Sequence, residues 1–234
     1  MEKTKSMKQN ATLDLTRGPI FSLIMRFCIP ILLGNLFQQF YNMVDAAVVG
    51  KYVGTNALAA VGATGSITFL IIGFVNGLCS GFCIPLSRAF GADDWKLLRR
   101  CLTHILYLSV FFTVVLTIGT NAGLRWLLTV MNTPVDIFAD SLIYLRLLFW
   151  GIAATVFYNL TAGIIRSLGN SRTPLIVLMA ASVVNILLDL VFVIVFHLDV
   201  MGVGIATVIS QAFSGIACFV YILKTYPELR IEAD

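Results

Sequence analysis

Between Pro19 and Tyr226 the chain is made almost entirely of long apolar segments joined by short polar turns. Several of these segments exceed the roughly 20 residues that a helix needs to cross a bilayer. In lipid every backbone N–H and C=O must be satisfied internally, so segments of this length and greasiness are confined to α-helices. Composition points the same way. The 234 residues are 59% hydrophobic and 12% charged, with mean hydropathy +0.92, whereas a soluble domain is about half apolar and a quarter charged. The expected fold class is an all-α polytopic membrane protein whose first partner is the lipid bilayer. The formal net charge of +4 gives no basis for nucleic-acid binding, because the basic residues are scattered at helix ends. The first apolar run begins near Ile20 and is far longer than the apolar core of a cleavable signal, so it reads as a retained helix.

Six spans are predicted within residues 19–226, after a polar cytoplasmic tail (1–18) and before what reads as the start of a cytoplasmic linker (227–234). They cover about 19–49, 57–86, 97–123, 137–168, 175–196 and 205–226, with 121–134 read as an amphipathic interfacial stretch. Pro30 interrupts the hydrogen bonding of the first span and is expected to kink or loosen it. Gly73, Gly77 and Gly81 form a small-residue ridge on the second span, over which another helix is expected to pass closely. With a cytoplasmic N-terminus, the inner set of basic residues is Lys3, Lys5, Lys8, Arg17, Arg26, Arg88, Lys96, Arg99, Arg100, Arg166, Arg172, Lys224 and Arg230. The outer set is Lys51, Arg125 and Arg146. Thirteen against three is a strong positive-inside bias, which predicts a multi-pass protein of the cell membrane with both termini in the cytoplasm. Arg146 is read either as snorkelling outward or as pairing with Asp140.

Two aspartates lie deep inside apolar spans. An acid near the centre of such a helix costs on the order of 2.5–3.5 kcal/mol on insertion scales. Asp45 follows Gln38, Tyr41 and Asn42 at helical spacing, which makes one polar stripe on the first span. Asn185 and Asp189 are four apart on the fifth span. Counted from the helix ends at about 1.5 Å per residue, the two acids lie at nearly the same depth. Thr207 and Gln211, with Ser214 beyond them, enter the sixth span at that level. Carboxylates, amide carbonyls and hydroxyls are the ligands that suit protons and hard cations. Two acids in a medium of low dielectric form a coupled pair that a shared proton or a bound cation relieves. Asn35, Gln39, Asn76, Thr155, Tyr158 and Asn159 are read either as lining a cavity or as locking helices together. Of the five cysteines, Cys79 and Cys83 are one turn apart, and helix packing is preferred over metal binding for them. A weak internal echo accompanies the acids: Pro30 precedes Asp45, and Pro174 precedes Asp189, by fifteen residues each. A glycine-bearing turn and an Ala-Thr pair follow in both cases.

The run Tyr41-Asn-Met-Val-Asp45, Val49-Gly50 and Asn56-Ala-Leu-Ala-Ala-Val-Gly62 resembles the first two helices of the multidrug and toxic compound extrusion (MATE) transporters. Arg166-Ser-Leu-Gly169-Asn-Ser-Arg-Thr-Pro174, Asn185-Ile-Leu-Leu-Asp189 and Gly204-Ile-Ala-Thr207 look like their fourth to sixth helices. The resemblance implies one six-helix lobe of a fold in the multidrug/oligosaccharidyl-lipid/polysaccharide exporter superfamily, similar to its bacterial DNA-damage-inducible branch. It implies secondary antiport of organic cations or drugs in exchange for H+ or Na+, with no other cofactor. In that branch the ion site matches Asp45, Asn185, Asp189 and Thr207. Gln38, Tyr41, Asn42, Asn159 and Gln211 are the expected cavity-lining and substrate residues.

The resemblance also implies twelve helices in two lobes, so the expected partners include a C-terminal lobe or a second copy of the chain. A self-paired arrangement would have its two-fold axis along the membrane normal. Three other readings were weighed. A lipid-linked oligosaccharide flippase should have a strongly basic cavity, and an intramembrane aspartyl protease should have a Gly-x-Gly-Asp motif that Asp189 lacks. The third is an inactive, truncated half-transporter. The expectation is that the chain is not an enzyme.

Overall fold

The computed structural model describes residues 19–226 and Leu229. The expected tail, most of the expected linker and the basic residues Lys3, Lys5, Lys8, Arg17 and Arg230 fall outside them. The described residues form α1 (Ile20–Val48), α2 (Thr55–Gly91), α3 (Trp95–Val130), α4 (Val135–Trp150), α5 (Ile152–Ser167), α6 (Arg172–Leu190) and α7 (Asp199–Thr225). Single π-helical turns, Val49–Val53 and Val191–Val195, extend α1 and α6. Five segments are long and apolar enough to cross a membrane, and α4 with α5 makes a sixth that is bent by 45°. The chain is therefore all-α and polytopic.

Three helix ends are closed by one device. After α5, Gly169 N–H donates to Arg166 O and Asn170 N–H to Ile165 O, with Gly169 at φ 83°. This paired 5→2 and 6→1 pattern is the Schellman motif. Asp93 and Asn132 take the same left-handed position after α2 and α3. Asn170 then starts the next helix. Its Oδ1 accepts from Arg172 N and Thr173 N at 3.1 Å each, and its Nδ2 donates to Thr173 Oγ1 and Tyr221 OH at 2.9 Å. Pro174 occupies the first turn of α6, where no N–H is needed.

Several expected boundaries are corrected. The third span does not stop near Gly123. It continues as one helix to Val130, because Thr120, Asn121 and Thr129 bond back to their own helix's carbonyls. Leu124 and Leu128 meanwhile bury against α4 in a core with Leu145 and Phe149. The fourth span is broken at Gly151, where a Cβ would overlap Val208 of α7 and meet the Leu148 carbonyl oxygen at 3.2 Å. The last helix starts six residues earlier than expected, at Asp199 rather than Ile205. Gly202 and Gly204 bring its first turns against Phe192 and Leu147. The glycine ridge has no partner among the described residues: a Cβ at Gly73, Gly77 or Gly81 would meet nothing within 4 Å. The lobe instead packs against Val75, Cys79, Cys83 and Leu86, which sit on another face of α2. α1 runs unbroken through Pro30, and Pro85 lies inside α2 in the same way. Arg146 stands exposed.

α1 packs on α6, α6 on α7, and α7 on α4 and α5, which in turn carry α2; α3 lies against α2 and α4. α1 and α2 meet chiefly through the π-turn that joins them. They diverge from there, and that divergence opens the site.

Candidate functional site

Asp45 is buried near the end of α1, four residues before the π-turn, and Asp189 is fully buried two residues before the other π-turn. A π-turn wedges one extra residue into a helix and is frequent at functional sites. Here both occur at the same level, and their valines interlock. Val48, Val49, Val193, Val200 and Val203 form an apolar plug immediately beyond the acids.

Below the plug the two carboxyl groups come within hydrogen-bonding reach of each other. As carboxylates both are acceptors, and among the described residues no protein donor reaches Asp45 Oδ1 or either oxygen of Asp189. Asn185, one turn before Asp189 and 1% exposed, has neither its Nδ2 nor its Oδ1 paired. Ser210 Oγ and Gln211 Oε1 on α7 are likewise unpaired and buried. Such a concentration of unsatisfied polar atoms is exceptional, since buried polar groups are nearly always bonded. Two neighbouring carboxylates repel far more strongly in a buried site of low dielectric than in water. No Lys, Arg or His lines the adjoining cavities to offset that repulsion.

Two cavities flank the acids. The larger, about 130 Å³, opens between α1 and α2 and is lined by Gln38, Tyr41, Asn42, Asp45, Asn159, Thr207 and Gln211 among others. All five expected cavity residues are therefore on its wall, together with Asn76 and Thr155. The smaller, about 10 Å³, is room for one water-sized group and touches Asn185, Ser182, Ser210 and Ser214. Tyr41, Thr207 and Gln211 line both and form the partition between them. Tyr41 shares the wall of the larger cavity with Gln38 and Gln211. Thr207 Oγ1 donates to Val203 O at 2.9 Å, which leaves its lone pairs free to accept or to ligate. Asp189 lines neither cavity, whereas Asp45 lines the larger one. Asn35 and Gln39 are exposed outside the site, and Tyr158 belongs to an apolar core. No group of three or more His, Cys, Asp or Glu suited to a metal exists among the described residues, while the oxygen-rich, unpaired donor set of Asp45, Asn185 and Asp189 suits Na+ or a proton.

The site also includes Thr68, Tyr144 and Ser210, which the sequence reading missed. Tyr144 was legible: with Leu148, Thr155 and Asn159 it makes a 4-7-4 spacing along the fourth span. Ser210 was legible too, since it lies three residues after Thr207 and four before Ser214 on the same helical face; Thr68 had no such signal, because it sits between Ile67 and Phe69.

The MatE family model matches residues 30–191. The chain is 29% identical over 219 residues to the "Probable multidrug resistance protein YpnP" of Bacillus subtilis, covering 90% of this chain and 47% of that protein. It is 30% identical over 231 residues to YoeA of the same organism, covering 97% and 50%. Among solved structures it is similar to a MATE transporter in the bent conformation, with TM-score 0.85, 28% identity, and coverage of 94% of this chain and 50% of that one. An outward-facing multidrug resistance MATE transporter matches at TM-score 0.79 and 29% identity, with coverage of 86% and 44%. The chain thus spans about half the length of the relatives it matches.

Proposed function

Because this chain belongs to the MatE family of membrane transporters, we propose that it forms the N-terminal six-helix lobe of a cation-coupled exporter of drugs or organic cations. The observation that carries this reading is the juxtaposition of Asp45 and Asp189, two buried acids of whose oxygens three have no hydrogen-bond partner among the described residues and beside whose cavities no basic residue lies. A proton shared between them, or a Na+ held by Asp45, Asp189, Asn185 and Thr207, neutralises the pair. Exchange of that ion changes the charge on the wall of the larger cavity through Asp45, and can bias two arrangements of the Pro30-bearing α1. A cationic drug in the cavity stabilises the ionised pair, so cargo and coupling ion compete for the same negative charge. Tyr41, Gln38, Asn42, Asn159 and Gln211 supply the hydrogen-bonding wall against which cargo is oriented.

The exposed Asn35, Gln39 and Asn42 of α1 support a second six-helix half as the covering wall of this cleft, whether a C-terminal lobe or another copy. The basic residues favour both termini in the cytoplasm of a cell membrane. An anionic lipid-linked sugar is a poorer cargo, because the cavity wall carries Asp45 and no basic residue. The test is drug efflux from cells expressing the chain together with its completing half. Asp45→Asn and Asp189→Asn should each abolish gradient-driven efflux while the protein still reaches the membrane. Undiminished efflux by both variants would overturn the proposal.

A further inference from the structure

At the other end of the bundle, away from the acids, α2 and α3 leave a groove of about 370 Å³ between them. Gly81 and Phe82 of α2 and Ile105 and Leu108 of α3 line its deep part. The hollow exists because Gly81 brings no side chain, and a Cβ built there would meet nothing within 4 Å. Arg100 and His104 of α3 also line it. Measured along α3 at about 1.5 Å per residue, Arg100 lies about 8 Å from the start of the helix and Leu108 about 20 Å. The groove therefore grades from a cationic mouth to an apolar end over roughly the length of half an acyl chain.

Further positive charge stands near the mouth. Lys96, one turn before Arg100 on α3, and Arg88, near the end of α2, are both exposed. The two acids of the connecting turn are committed elsewhere: Asp93 Oδ1 accepts from Trp95 Nε1 at 2.8 Å, and Asp94 Oδ1 accepts from Leu97 N at 2.9 Å to cap α3. His104 Nδ1 lies 2.7 Å from Arg100 O, which holds the imidazole along the groove wall with Nε2 as its outward nitrogen. No carboxylate lines the groove. An occupant that matches these walls is apolar at one end and anionic at the other, as a membrane lipid with an acidic headgroup is.

We propose that the groove is a site for one anionic phospholipid, with an acyl chain against Gly81, Phe82 and Leu108 and its phosphate against Arg100. This position is distinct from the general lipid annulus and independent of the transport reading. The test is native mass spectrometry of the purified, delipidated chain titrated with phosphatidylglycerol or phosphatidylcholine of identical acyl chains. The wild type should retain phosphatidylglycerol roughly fivefold more tightly, the worth of about one well-placed basic contact. Arg100→Gln should bring the two lipids to near equality, while Arg88→Gln should keep the preference. Gly81→Leu fills the hollow and leaves every charge in place, and it should lose both lipids without loss of helicity. Equal retention of the two lipids by the wild type would overturn the assignment. So would unchanged phosphatidylglycerol binding by Gly81→Leu, or a loss of preference in Arg88→Gln as large as in Arg100→Gln, which would mark a diffuse surface potential.

Discussion

The break at Gly151 offers the sharpest check on how this lobe is assembled. Gly151→Ala adds one methyl group at a buried point where α4 gives way to α5 and α7 crosses. That methyl would overlap Val208 Cγ2 and stand 3.1 Å from Val208 Cγ1 and 3.2 Å from the Leu148 carbonyl oxygen. Backbone cannot yield cheaply, so α7 must move. Overpacking of this kind costs about 1–3 kcal/mol. For a chain of this size each kcal/mol lowers the melting midpoint by about 2–4 °C. Gly151→Ala should therefore melt roughly 2–12 °C below the wild type in detergent, followed by size-exclusion recovery after heating. The cause is assignable by a double-mutant cycle. Val208→Ala removes both γ carbons, so on that background Gly151→Ala should have little further effect. Gly77→Ala, where the new methyl meets nothing, serves as the control and should stay within about 0.5 kcal/mol of the wild type. The reasoning fails if Gly151→Ala melts with the wild type, or costs the same with and without Val208. Because Thr207 and Gln211 flank Val208 on α7, the same displacement should also widen the partition between the two cavities.

Two further outcomes follow from the hydrogen-bonding pattern. Asn170→Ala should destabilise by about 2–3 kcal/mol, since it removes the cap of α6 and a buried link to Tyr221; Asn170→Asp, which keeps the two backbone bonds, should recover part of the loss in the same melting assay. If the acid pair holds either Na+ or a proton, NaCl should raise the melting midpoint more than KCl at pH 8, and much less at pH 6, where protons compete for the same oxygens. An equal salt response in Asp45→Asn would refute that competition.

Much of this architecture was legible in one dimension because the bilayer permits so few solutions. Apolar runs of spanning length can only be helices there, and their number and order follow from counting. The acids announced themselves for the same reason: an aspartate in such a run is costly, and helical spacing alone set Asp45 in line with Tyr41 and Asn42, and Asp189 in line with Asn185. Even the common depth of the two acids came from residue counts. What spacing cannot supply is rotation of each helix about its axis. The glycine ridge at Gly73, Gly77 and Gly81 reads as a packing face, yet α2 turns Val75, Cys79 and Cys83 to its neighbours and leaves the glycines open.

The sequence by itself determined the fold class, the spans and the two polar stripes, since these depend on composition and on the 3.6-residue period. Only the tertiary structure decided that Asp189 sits behind Asp45 and away from the cavity wall, that Gly151 breaks the fourth span, and that valines from two π-turns close the site above the acids. Each of these is a matter of which side chains meet across helices far apart in the chain, and close packing between helices, which single-helix periodicity does not encode, settles it.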